Sequence, residues 1–107
     1  MINVIYHRRM NRVTIEGHAH SGEPGHDLVC AGVSTLAYTL AANVGNLRDR
    51  GMVRRPTVVL ESGKAEIEAK PNPRHKATAE LIFQTVCVGF EVLAAEYPDY
   101  ITYEIRG

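Results

Sequence analysis

Apolar and polar residues alternate over residues 2–7, with Ile2, Val4 and Tyr6 set against Asn3, Ile5 and His7. That is the period of a half-buried strand. The same period returns over residues 12–18, where Val13 and Ile15 oppose Thr14 and Glu16. The polar stretch from Arg8 to Asn11 predicts a turn between them, and so a hairpin. From Asp27 onward the period changes: Leu28, Val29, Val33, Leu36, Ala37, Leu40, Ala41, Val44 and Leu47 recur at helical spacing. They predict a helix with a broad apolar face, ending around 47–50 near Gly45, Asn46 and Gly51. Asp27 is placed to cap this helix through its carboxylate, which puts Cys30 at the third helical position.

The β-branched run Thr57 to Glu61 and the alternation of Ala65, Ile67 and Ala69 predict two more strands, joined at Ser62-Gly63 by a two-residue turn. Asn72-Pro73 predicts a helix start, with Asn as cap and Pro at the first position. Ala79, Ile82, Phe83, Val86, Phe90 and Leu93 carry that helix to about Tyr97, before Pro98. Ile101, Tyr103 and Ile105 alternate as a last strand. The order is β-β-α-β-β-α-β, with a weak ββα duplication and no low-complexity segment. Hairpins followed by single helices predict a two-layer α+β fold, a mainly antiparallel sheet with both helices on one face. At 107 residues the chain is sized for a single domain over 1–107.

Charge changes this picture little. Lys plus Arg and Asp plus Glu both total 12, so no net field draws the chain to nucleic acid or an anionic membrane. Arginines do cluster, at Arg8, Arg9 and Arg12 and again at Arg48, Arg50, Arg54 and Arg55. Contact with RNA or an acidic partner is one reading. With zero net charge and no interleaved aromatics, a solvated surface is the expected one, and direct nucleic-acid binding is not expected. The N-terminal MINVIYHRRMNR lacks the apolar core of a secretory signal. No uninterrupted apolar run approaches the roughly 20 residues of a membrane span. The expected location is the cytoplasm, where Cys30 and Cys87 would be free thiols.

Candidate chemistry gathers between Gly17 and Ser34, GHAHSGEPGHDLVCAGVS. A thiol attacks only as thiolate, and a helix N-terminus and a nearby imidazolium both favour that form. Cys30 at the start of a helix has the first, and His18 or His26 could supply the second. Free N–H groups from Cys30 and its neighbours could also receive an oxyanion. Packing as a small buried hydrophobe is an equal reading for Cys30, and for Cys87, mid-helix among Val86, Val88 and Phe83, it is the expected one. His18, His20, His26 and Cys30 also make four ligands of the kind zinc takes, but at no familiar spacing, so no metal is expected. His20 and His26 then read as exposed loop residues. Asp27 either orients His18 or caps the helix, and Ser34 either contacts substrate or lets the helix pack closely.

These residues resemble the signature of the ribosomal-processing cysteine protease family, Prp: G-H-A, a glycine-containing loop, then G-x-D-I-V-C-A-x-x-S. Gly17, His18, Ala19, Gly25, Asp27, Val29, Cys30, Ala31 and Ser34 match, with Leu28 for the isoleucine. The resemblance implies a bacterial endopeptidase that needs no cofactor. It would trim the N-terminal extension from the twenty-seventh protein of the large ribosomal subunit, a step in ribosome assembly. It carries the nucleophile to Cys30 and the general acid/base to His18. Asp27, Ser34, Gly25 and Ala31 fall on supporting or substrate-binding positions. It implies a homodimer with a mobile loop beside the cysteine. Pro24 departs from the family, whose loops often hold an aromatic there. The rival reading from the arginine clusters is a non-enzymatic ribosome-associated binding protein.

Overall fold

The structure, a computed structural model, describes residues 1–19 and 26–107. Its elements run β1 (Ile2–His7), β2 (Arg12–Gly17), α1 (His26–Asp49), β3 (Thr57–Glu61), β4 (Lys64–Glu68), α2 (Lys76–Glu96) and β5 (Ile101–Arg106). This is the order the periodicity predicts. Short 3-10 turns, Arg8–Met10 and Pro73–His75, precede β2 and α2. The five strands form one sheet in the order β3-β4-β2-β1-β5. Its pairs are antiparallel except for β1 with β5, which run parallel with Val4 opposite Tyr103.

One sheet face is apolar because period-2 alternation puts Ile2, Val4, Tyr6, Val13, Ile15 and Ile67 on the same side. Both helices cover that face. α1 contributes Val29, Val33, Ala37, Leu40, Val44 and Leu47, and α2 contributes Ala79, Phe83, Val86, Cys87 and Phe90. Phe83 stacks on Tyr6 with ring centroids 6.3 Å apart; truncating so large a buried ring costs about 3–5 kcal/mol. The other sheet face is polar, with Arg12 bridging Glu66 at 2.9 Å and Thr102 bonded to Asn3. By length and composition each helix is apolar enough to cross a bilayer. Each nonetheless packs one stripe on the sheet, as in a two-layer domain.

Two caps differ from expectation. α1 already includes His26, so Asp27 lies inside the helix and is not the residue before it. Asn72 precedes a 3-10 turn with Pro73 at its start, and makes no side-chain cap bond. Its amide donates instead to the Gly51 carbonyl at 2.8 Å, fastening the chain after α1 to the chain before α2. The Ser62-Gly63 turn forms as expected between β3 and β4. Only Gly63 takes positive φ there, +76°, the sign pattern of a type II turn and not of a type I′ turn.

Candidate functional site

β2 ends at Gly17 with φ +102°, where a Cβ would run into the Met1 carbonyl oxygen. Only glycine fits this exit, and it sets His18 at the rim of the sheet. The Gly17 N–H donates to the Gly63 carbonyl at 2.9 Å, bringing the β3–β4 turn against the same rim. The His18 ring lies directly over Gly63. A Cβ on Gly63 would meet Nε2 and would come within 2.8 Å of Cε1. The Met1 amino group donates to the His18 carbonyl at 2.6 Å.

The first turns of α1 face this rim across a cavity of about 350 Å³. His18, Cys30, Ser34, Tyr38, Leu60 and Gly63 are among the residues lining it. The fold therefore brings together His18 and Cys30, as the sequence reading requires. Ser34, one turn after Cys30, opens into the same cavity, which favours substrate contact over close packing. Tyr38 and Leu60 add an apolar lip.

The imidazole in contact with the thiol is another one. His26 Nε2 lies 3.8 Å from Cys30 Sγ, and His26 Nδ1 lies 3.0 Å from Asp27 Oδ1. His26 is not an exposed loop residue; it lies in α1 with three quarters of its side chain covered. Asp27 neither caps α1 nor touches His18. Its carboxylate is fully exposed and meets His26. Among the described residues no hydrogen bond joins His18 to Cys30. The signal was available: residues four apart on a helix share a face, and His26 and Cys30 are four apart.

With His26 and Asp27 already inside α1, Cys30 lies deeper than the third helical position. The N–H groups an α-helix leaves free are its first four, so the Cys30 N–H is not one of them. Ala31 is exposed and lies outside the cavity lining. Gly25, His20 and Pro24 lie outside the described residues, as does most of the expected loop. Among the described residues no cluster of His, Cys, Asp or Glu is arranged to hold a metal.

Cys87 is the contrasting thiol. It is buried under α2, and burial pushes it up to about 12 despite a bond from the Tyr103 hydroxyl. Tyr103 is raised as well, chiefly by burial. So is Tyr6, whose hydroxyl is buried without a partner among the described residues.

Known proteins resemble this chain in sequence and fold. The family described as Cysteine protease Prp matches residues 1–102. A Staphylococcus aureus protein named ribosomal processing cysteine protease Prp is 29% identical over 94 residues, 87% of this chain and 84% of that one. A crystal structure of S. aureus Prp, an essential ribosomal processing protease with a covalently linked product peptide, superposes with a TM-score of 0.71. It is 25% identical and covers 98% of this chain and 97% of that one. A Streptococcus mutans structure, SMU.848, superposes at 0.66 with 30% identity, over 97% and 90% of the two chains.

Proposed function

This chain belongs to the cysteine protease Prp family, and from that premise we propose that it removes the N-terminal extension of the twenty-seventh protein of the large ribosomal subunit. It is a cysteine protease of the ribosomal-processing kind; the proposal concerns its substrate, residues and setting. The observation that carries it is the single cavity shared by Cys30, His18 and Ser34. Cys30 Sγ attacks the scissile carbonyl, and its proton passes to an imidazole. The imidazolium then protonates the leaving amine, and water hydrolyses the thioester. The Ser34 hydroxyl is a donor on the same wall, and Tyr38 and Leu60 offer apolar contact to a substrate side chain.

His18 is the acid/base in this reading, held by Gly17 and Gly63 on the wall facing α1. The 3.8 Å contact favours a second reading in which His26, oriented by Asp27, takes the thiol proton. The setting is the cytoplasm, and the working unit is a homodimer. Leu81, Val88 and Val92 support a second copy: all three lie more than half exposed along α2 at compatible helical spacing. No cofactor enters the mechanism.

The test is incubation with a peptide spanning the extension of the host's own ribosomal protein, read by mass spectrometry. A single cut that vanishes in Cys30→Ala is the expected result. No cut with the wild type, on a peptide the host does process in vivo, overturns the substrate assignment. A cut that survives in Cys30→Ala overturns the nucleophile.

A further inference from the structure

A chain with zero net charge folds into a strongly polarised molecule. The described residues include every Lys and Arg, and of those 12 Lys64 alone lies at the end that carries the cavity. The register puts His7, Arg12 and Arg106 side by side at the opposite end. The turn holding Arg8 and Arg9 and the C-terminus of α1 with Arg48 lie there too. So do the chain after α1 and the start of α2, because the Arg54 N–H bonds to the Lys70 carbonyl and the Asn72 N–H to the Met52 carbonyl. Glu16, Asp27, Glu61, Glu96 and Asp99 sit at the cavity end, while Asp49, Glu68 and Glu104 lie among the more numerous cations of the other. At 1.5 Å per helical residue, α1 alone separates Cys30 from Arg48 by about 27 Å.

The basic end holds a built groove. A cavity of about 960 Å³ is lined by Arg54, Arg55, Lys70, Pro71, Asn72 and Pro73, with no acidic residue among them. Its walls are tied by the Arg54–Lys70 and Asn72–Met52 backbone bonds at 2.9 and 3.0 Å and by the Asn72 amide on Gly51. Arg55 is held at φ +44°, a conformation that non-glycine residues rarely adopt. Arg12, Arg48 and Arg106 are engaged by neighbouring carboxylates. Arg54, Arg55 and Arg74 have no acidic partner among the described residues, and all three are exposed.

We infer that this basic end is a docking surface for the phosphodiester backbone of RNA, separate from the peptidase cavity. Guanidinium groups pair with phosphate in a bidentate fork. The free ones here are spread over one end of a molecule 23 Å across its middle axis. A polymer with a charge at every nucleotide can meet all of them, whereas an isolated carboxylate meets one. The polyanion chemistry stands on the charge distribution alone; the choice of RNA rests on the proposed ribosomal role. Docking by this end leaves the acidic cavity end free for a peptide.

The experiment is fluorescence anisotropy of a short labelled RNA duplex of arbitrary sequence, titrated with the full chain across a salt series. The comparison is the triple variant Arg54→Gln, Arg55→Asn, Arg74→Gln; Asn is chosen because it tolerates the left-handed backbone. The expected result is salt-dependent wild-type binding, weakened about tenfold or more in the variant, with the salt slope falling by about 1 for each arginine lost. Thermal unfolding and peptide cleavage by the variant should stay at wild-type values. Absence of wild-type binding at low salt overturns the inference. So does equal binding by the variant, and so does equal affinity for a polyglutamate of matched charge, which would make the partner an acidic polypeptide. Cleavage is read separately, so failure of the peptidase reading leaves the RNA measurement interpretable.

Discussion

Two glycines and two histidines decide the geometry of the site. Gly63 is the sharper case, because its bare Cα is the floor on which the His18 ring lies. Gly63→Ala places a methyl where that ring sits and adds the left-handed cost of about 1–2 kcal/mol. The expected outcome is a large loss of kcat/KM with a lesser loss of stability, checked by cleavage kinetics beside urea unfolding. The histidines separate by substitution. Losing a general acid/base costs about 10²–10⁴ in rate, so His18→Ala should fall in that range. His26→Ala should then cost far less and act mainly on the alkylation rate of Cys30. The reverse order would assign proton transfer to His26. The contact of His26 with Cys30 was legible as a four-residue spacing. The sequence left His26 open beside His18 as the imidazole for Cys30, because a histidine beside a glycine-rich stretch reads as loop until the extent of the helix is known.

At the scale of elements, α1 and α2 carry their chemistry at different depths. α1 presents Cys30 to the cavity, whereas α2 turns Cys87 into the core beneath Tyr103. The folded state holds the Cys87 proton to about pH 12, and the unfolded chain releases it near 9.0. The folded state thus binds more protons across that window, and stability falls as pH rises through it. One such proton corresponds to about 1.4 kcal/mol per pH unit at most. The urea midpoint should drop between pH 9 and 10 in the wild type and drop less in Cys87→Val. That interval lies below the range in which Tyr6 and Tyr103, both raised, add their own alkaline loss. The helices and strands were readable from period alone, since each buries one face. Their caps were not, because the Asn72 amide donates to Gly51 and the Asp27 carboxylate meets the His26 ring.

For the whole molecule the helix layer and the basic end are the surfaces offered to larger partners. The α2 stripe of Leu81, Val88 and Val92 is a surface on which one charge should be felt if a second copy covers it. Val88→Glu should convert a dimer to a monomer in light scattering while leaving the fold intact, since Val88 is more than half exposed in the single chain. An unchanged mass would exclude this face as the interface. The parallel pairing of β5 with β1 also belongs to this scale: alternation marks a strand without stating its neighbour or direction.

Element order, the two-layer α+β class, the buried face of most elements and the motif from Gly17 to Ser34 are legible in the sequence. These are local properties, written in period, in turn residues and in a dense run of side-chain types. Which imidazole touches Cys30, where Ser34 faces, and the gathering of nearly every cation of a neutral chain at one end depend on contacts between elements distant in sequence. Summed charge carries no positions, and a strand's two ends are equivalent until the chain around them is folded. Once Arg8, Arg54 and Arg106 share one end and His18, Cys30 and Glu61 the other, the same zero total describes a molecule with two distinct faces.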